Sequence, residues 1–297
     1  MKKTKRLFLF ASYDKDNIVD NTVIYYVNEL SKIGDIIFFA DNDLPDSEIK
    51  KISSIPHVLH TDAKRHGEYD FGSYKRLYTY AKEHKLLAKY DWVYFVNDSV
   101  YGPLNDLNPI LEKLESSDAG LVGMAENYDK YTPRHVQSWF VGVNNDVITS
   151  DFFDKFMSKI KKESQKMYIC LKYEVGLSCT ILRHGFKMKT VLSKEENQLY
   201  ADPRDGLIRG VPFIKKLGIP NVCDMAFIYP HADNDILIDY INAHMQRHGI
   251  QMARNSYHNV YELQFFKMPL VTIRAKDPDH YKIYLFGKIQ VFKVKKD

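Results

Sequence analysis

Trp92-Val93-Tyr94-Phe95-Val96 runs directly into Asn97-Asp98-Ser99, and Tyr101-Gly102-Pro103 then turns the chain. A run of apolar and aromatic residues without polar alternation describes a strand buried on both faces, whose sheet needs helices on either side. The pattern recurs toward the N-terminus. Leu7-Phe8-Leu9-Phe10-Ala11 reads as a short buried strand ending in Ser12-Tyr13-Asp14, and Asp35-Ile36-Ile37-Phe38-Phe39-Ala40 as a second, ending in Asp41-Asn42-Asp43. Between them Val19, Val23, Val27 and Leu30 fall at helical spacing, with Gly34 as the stop. A polar, helix-like stretch over 73–89 precedes the Trp92 strand, and 121–124 and 136–143 are further strand candidates. Helices are expected from Ser150 and over 173–183, the latter closed by Gly185. This alternation predicts an α/β fold, a mostly parallel sheet with helices on both faces. Beyond about Pro220 the pattern loosens into a helix over 235–247, closed by Gly249, and short strand-like pieces. The expected organisation is an α/β core over 1–220, with halves meeting near 104, and a small C-terminal helical and irregular lobe over 221–297 ending in a basic, aromatic tail.

Of the 297 residues 45% are hydrophobic and 27% charged, which supplies enough apolar surface for one large or two small domains and excludes disorder. No run approaches the ~18–20 apolar residues that a spanning helix needs. Lys2, Lys3, Lys5 and Arg6 make a basic start, but the apolar stretch behind them is cut short by Ser12-Tyr13-Asp14, so a secretory signal is not expected and the cytosol is. Cys170, Cys179 and Cys223 are too scattered for a disulfide framework or a CxxC site, and read as buried thiols of a reduced compartment. The net charge of +4 is too small to point to nucleic acid. Its distribution is informative, because both ends are basic and the body mildly acidic. In the tail Lys282, Lys288, Lys293, Lys295 and Lys296 alternate with aliphatic and aromatic residues. That pattern suits the surface of an anionic membrane, or an edge strand with its lysines in water.

There is no GxGxxG after the first strand, no GxxxxGK[ST], no GxSxG and no HExxH, which removes the main support for dinucleotide, P-loop, α/β-hydrolase and zincin readings. His244 and His248 share a helix face without an evident third ligand, and read as solvated residues near a helix C-terminus. In open α/β sheets ligands bind at the carboxyl ends of strands. The three polar ends are therefore the candidate sites, and Asp98 is the sharpest. It either holds a hard cation that neutralises phosphates or closes an Asx-turn.

Four blocks carry a resemblance. They are Glu68-Tyr69-Asp70-Phe71-Gly72-Ser73-Tyr74-Lys75, then Val96-Asn97-Asp98-Ser99-Val100-Tyr101-Gly102-Pro103-Leu104, then His135-Val136-Gln137-Ser138-Trp139-Phe140, then Tyr173-Glu174-Val175-Gly176-Leu177-Ser178 with Gly185-Phe186-Lys187. In this order, over about residues 7–217, the chain resembles the rhamnan synthesis F family of bacterial polysaccharide glycosyltransferases. The resemblance implies a GT-A fold, a nucleotide-sugar half followed by an acceptor half, and dTDP-L-rhamnose as donor. It further implies a growing O-antigen, lipopolysaccharide or capsule glycan as acceptor, free or lipid-linked, and a cytoplasmic protein lying peripherally on the inner face of the membrane.

The resemblance also assigns roles. Asn97-Asp98-Ser99 falls where GT-A enzymes carry a DXD motif, with Val96 where the first acid belongs. Asp98 then holds Mg²⁺ or Mn²⁺ with help from elsewhere, His231 being a candidate ligand, or accepts hydrogen bonds from the donor. Glu174 is the expected general base, or else a glutamate that complements a helix dipole. Lys75 and Arg76 either meet the leaving diphosphate or are exposed helix cations, and Gly72 lets the backbone approach the ligand or makes a turn. Asp70 bonds the donor or caps a helix. Ser12, Tyr13 and Asp14 are expected at the base and ribose. Gln137 and Ser138 are expected in the sugar pocket, Trp139 there or in the core, and Phe140 in the core. Tyr128 and Tyr131 are candidate sugar-stacking rings or ordinary loop residues. Another donor such as a UDP-hexose, or a non-catalytic protein that binds glycan or nucleotide, are the alternatives. All enzymatic versions require Asp98 and Glu174 to share one cleft.

Overall fold

The computed structural model describes residues 4–128, 132–193, 199–222, 224–233 and 235–252, together with the backbone of four strands between 258 and 295. The chain opens with alternating elements: β1 (Arg6–Ser12), α1 (Asn21–Ser31), β2 (Asp35–Ala40), α2 (Asp46–Ser53), β3 (Val58–Ala63), α3 (Tyr69–Glu83) and β4 (Trp92–Asn97). The strands lie side by side in the order β3-β2-β1-β4, all parallel. Side-chain alternation explains why β1 carries no polar residue between Leu7 and Ala11. Leu7, Leu9 and Ala11 join Tyr74 and Leu77 of α3 in one apolar cluster, and Phe8 and Phe10 join Val23 and Val27 of α1 in another. Asp20 caps α1, accepting from the Thr22 backbone N–H at 2.8 Å.

The second stretch contains β5 (Val100–Tyr101), α4 (Asn108–Glu115), β6 (Ala119–Asn127), β7 (His135–Val136) and β8 (Phe140–Asn144). It continues through α5 (Asn145–Ile148), α6 (Asp151–Ser158), α7 (Lys166–Ile169), α8 (Gly176–Arg183) and β9 (Lys187–Leu192). β8 inserts antiparallel between β4 and β6, while β9 pairs parallel with β6, so the sheet is mixed and mostly parallel. The single strand expected over 136–143 is two strands. β7 pairs with β6 and β8 with β4, and 137–139 turn out of the sheet between them. A π-helical segment, Cys170–Val175, joins α7 to α8 and carries Glu174.

Beyond β9 come α9 (Pro203–Ile208), β10 (Ile214–Lys215) and α10 (Ile236–His248), closed by Gly249 in the left-handed conformation at φ 63°. β10 pairs antiparallel with β5. A third apolar cluster joins Tyr101 and Leu104 to Ile214, Ile219, Leu237 and Ile241. The boundary expected at 220 runs through this cluster, because α10 needs the apolar surface beside β5 to bury its own stripe. The lobe expected to be helical and irregular ends in β11 (His258–Phe265), β12 (Met268–Asp277), β13 (His280–Leu285) and β14 (Ile289–Lys295), an antiparallel sheet in sequence order. The alternation of lysines with apolar residues there is the period-two pattern of strands. Cys170 and Cys179 are half-buried rather than buried. Tyr131 and Cys223 lie outside the described residues. Among the described residues no helix is long and apolar enough to cross a membrane.

Candidate active site

The parallel strands β1 and β4 end side by side, and Asp98 binds the two ends together. Its Oδ2 accepts from the Ser12 hydroxyl at 2.8 Å and from the Tyr13 backbone N–H at 3.1 Å. Burial raises its carboxyl above the usual range, against the pull of Lys216. Asn97, almost completely buried, donates from Nδ2 to Asp70 at 2.9 Å. Its Oδ1 accepts from the Ser99 N–H at 3.1 Å and the Ser99 hydroxyl at 2.5 Å. Ser99 Oγ in turn accepts from Lys215 Nζ at 2.7 Å. The β5–β10 pair brings that lysine in, with Lys215 opposite Val100. The ammonium lies 5.2 Å from the Trp139 ring centre and 5.6 Å from that of Tyr200. Burial lowers Lys215 to about 7, opposed by Asp70 and Glu174. Asp70, in the first turn of α3, is pushed up to about 6 by burial and by the charge of Asp98.

Glu174 approaches from the other side. Its Oε2 accepts from the Ser138 N–H at 2.7 Å and the Ser138 hydroxyl at 2.5 Å, and its Oε1 lies 3.6 Å from His135 Nε2. Burial alone would raise its pKa, but hydrogen bonds from His135 and Ser138 outweigh that and hold the carboxyl below the usual range. Asp70, Glu174 and Asp98 all act electrostatically on Lys215. A cavity of about 320 Å³ opens beside Asp70 and is lined by Ser12, Tyr13, Asp41 and Arg65. The Arg65 guanidinium sits 4.6 Å from the Tyr13 ring centre. Asp41 accepts from the backbone N–H groups of His66 and Gly67 at 2.6 and 3.0 Å, which fixes the loop behind it.

The structure thus gathers Ser12, Tyr13, Asp70, Asn97, Asp98, Ser99, Ser138 and Glu174. Other expected residues stand elsewhere. Asp14 is buried against Arg247, which donates to its Oδ1 at 2.9 Å and its Oδ2 at 2.6 Å, so it does not face the cavity's ligand space. Lys75 donates to the carbonyls of Ser158 and Ile160 at the end of α6. Arg76 pairs with Glu68 at 2.8 Å. Lys75 thus ties α3 to the end of α6, and Arg76 also donates to the Gly72 carbonyl within α3. A side chain at Gly72 would run into Glu68 Cβ, so this glycine serves close packing within α3. Gln137 accepts from Trp139 Nε1 at 2.9 Å and so orients the indole. Trp139 belongs to the core against Phe213 and turns one face to Lys215, and Phe140 is buried. Tyr128 lies on the loop after β6.

The donor set at Asp98 does not fit a divalent metal. Val96 is fully buried in the sheet, Asp98 Oδ2 already accepts two hydrogen bonds, and the charges of Lys215 and Lys216 act on it. His231 ends a short turn (Ala226–His231), where its carbonyl accepts from Asn105. Among the described residues one set of three metal-type ligands is close enough to share an ion: Asp14, His244 and His248. It contains neither Asp98 nor His231. Arg247 occupies both oxygens of Asp14, and the Lys216 ammonium lies 3.4 Å from His244 Nε2, so a dication there would meet two cations. His244 is buried and bonded to the Tyr101 hydroxyl at 2.8 Å, with His248 stacked on it, in place of the solvated pair expected.

Lys215, Tyr200 and His135 were not singled out as site residues. A lysine following a short apolar run is ordinary surface chemistry until its strand is paired.

The sequence model of rhamnan synthesis protein F matches residues 36–257, and the chain belongs to that family. Among solved structures, the glycosyltransferase GlyE of Streptococcus pneumoniae TIGR4 is 10% identical with a TM-score of 0.43, the match covering 90% of this chain and 67% of that one. A glycosyltransferase involved in the glycosylation of the major capsid of PBCV-1 is 10% identical with a TM-score of 0.37, covering 71% and 93%. The mannosyltransferase Ktr4p from S. cerevisiae in complex with GDP is 13% identical with a TM-score of 0.35, covering 51% and 60%. The chain thus spans about six tenths of the length of Ktr4p. No curated protein matches the chain.

Proposed function

We propose that this glycosyltransferase of the rhamnan synthesis family moves L-rhamnose from dTDP-L-rhamnose onto a growing bacterial surface polysaccharide, with inversion, and that Glu174 is the general base. The observation that carries the reading is that Asp70, Asp98 and Glu174 all lie within electrostatic reach of Lys215, with a cavity opening beside Asp70. In this scheme the nucleoside occupies the cavity between Tyr13, Arg65 and Asp41, and the sugar lies between Asp98 and Glu174. The acceptor hydroxyl attacks the anomeric carbon as the bond to the diphosphate breaks, the electron pair leaving with the phosphate oxygen. The hydroxyl proton passes to Glu174, whose Oε1 makes no hydrogen bond to Ser138. His135 and Ser138 keep that carboxylate ionised and oriented before the substrate arrives. The basic tail fits a lipid-linked acceptor at an anionic membrane surface.

Turnover of a panel of dTDP-, UDP- and GDP-sugars by the full chain tests the donor, and release from dTDP-L-rhamnose is the expected result. Faster turnover of a UDP-hexose would replace the donor but keep the class. Glu174→Gln should lower transfer by about 10²–10⁴-fold while leaving donor binding nearly intact. Unchanged turnover in that variant removes Glu174 from the mechanism.

A further inference from the structure

We propose that Lys215 is the diphosphate-binding cation of this site, its ammonium meeting the leaving phosphate beside Ser99 where other transferases of this fold class use a divalent metal. The inference rests on the reading of the cleft as a nucleotide-sugar site. Its first support is the donor set at the end of β4. Val96, where a DXD motif has its first acid, is buried in the sheet, and Asp98 Oδ2 is already taken by Ser12 and Tyr13. Its second support is the placement of the lysine. The β5–β10 pair sets Lys215 opposite Val100, two residues past Asp98, and Ser99 takes one of the three ammonium donors. Two donors remain for phosphate oxygens. The rings of Trp139 and Tyr200 steady the charge without using a donor.

Burial lowers the Lys215 ammonium to about 7, and Asp70, Glu174 and Asp98 oppose that by favouring its charged form. A group so held needs little reorganisation when charge develops on the leaving group. As the bond between the anomeric carbon and the phosphate oxygen breaks, the electron pair stays on that oxygen. Lys215 donates hydrogen bonds to the diphosphate and keeps its proton. Gln137 acts one step back, because its bond to Trp139 Nε1 sets the ring plane against which the lysine lies.

Calorimetric titration of the full chain with dTDP, UDP and GDP, and with the matching monophosphates, is run in EDTA and again with Mn²⁺. At least one diphosphate should bind in EDTA with an affinity that Mn²⁺ leaves unchanged. Lys215→Met, which keeps the length of the buried side chain, should weaken that diphosphate by about tenfold or more and its monophosphate much less. Lys215→Arg should recover part of the loss. Donor turnover should likewise persist in EDTA and fall by about 100-fold in Lys215→Met without rescue by Mn²⁺. Transfer that stops in EDTA and returns with Mn²⁺ overturns the proposal while leaving the glycosyltransferase reading intact. Lys215-dependent diphosphate binding without turnover of any sugar supports the proposal and removes the catalytic reading. Absence of diphosphate binding in either condition overturns both. If Lys215→Met does not fold, the EDTA arms on the native chain decide.

Discussion

Ser138 illustrates how one residue sets the chemistry of another. Its N–H and hydroxyl both donate to Glu174 Oε2, and these bonds, with His135, outweigh the burial that would otherwise raise the carboxyl. Ser138→Ala removes one donor and lets the Glu174 pKa rise. A base works only when deprotonated, so the acidic limb of the pH–rate profile should move to higher pH. Transfer rates across that limb measure the shift, and an unmoved limb would dissociate Ser138 from the base. The identities of Asp98 and Glu174 as interesting carboxylates were readable from the sequence, one at the end of a buried strand and the other in a recognisable block. The duties of Lys75, Arg76 and Asp14 were not. A charged residue at a turn looks the same whether it meets a ligand, a helix carbonyl or a buried guanidinium.

At the scale of elements, Arg247 fastens α10 to the end of β1 and the start of α1. Arg247 pairs with Asp14, Asp16 and Asp20 at 2.6–2.8 Å. Asp20 is also the α1 cap. Arg247→Met leaves the buried Asp14 and the partly buried Asp20 without this partner, and should cost about 2–4 kcal/mol, less than a fully enclosed pair because the guanidinium retains 24% exposure. Denaturant midpoints at neutral pH measure it. The same region makes stability pH-dependent. Burial and the Lys216 ammonium hold His244 down at about 3, against an ordinary value of 6.5. Between those values the unfolded chain binds a proton that the folded chain refuses, so stability falls as the pH drops from about 6.5 toward 3. Asp14, held low by Arg247, and Asp20, held low by Thr22 and Arg247, add acid sensitivity of the same sign at the lower end. Melting temperatures taken from pH 7 to pH 4 should therefore decline, and His244→Gln should flatten the upper part of that decline. An identical slope in the variant would assign the sensitivity to other groups.

At the scale of the whole molecule, the basic tail is part of a paired sheet. Residues 280–285 and 289–295 are neighbouring strands of the C-terminal sheet, so deleting them would break its backbone ladder. Replacing Lys282, Lys288, Lys293 and Lys295 by serine keeps the chain length while removing charge. If the tail docks on anionic lipid, at about 1 kcal/mol per lysine, binding to phosphatidylserine vesicles should fall by about 100-fold or more. Equal binding by both proteins in a vesicle sedimentation assay would reject the tail as the anchor.

Local periodicity was enough for the α/β architecture. The strands at Leu7, Asp35 and Trp92 and the helices between them are dictated within about ten residues by which side chains must leave water, and that information is contiguous in the chain. The polar strand ends followed, since a buried run must stop where its residues meet solvent. Which cation faces those ends could not follow, because Lys215 reaches Ser99 across 116 residues through a two-residue strand pair. The burial of His244 and the division of 136–143 into two strands have the same origin. Each depends on apolar surface contributed by a distant segment, and a side chain acquires its partner and its proton affinity only once that surface has closed over it.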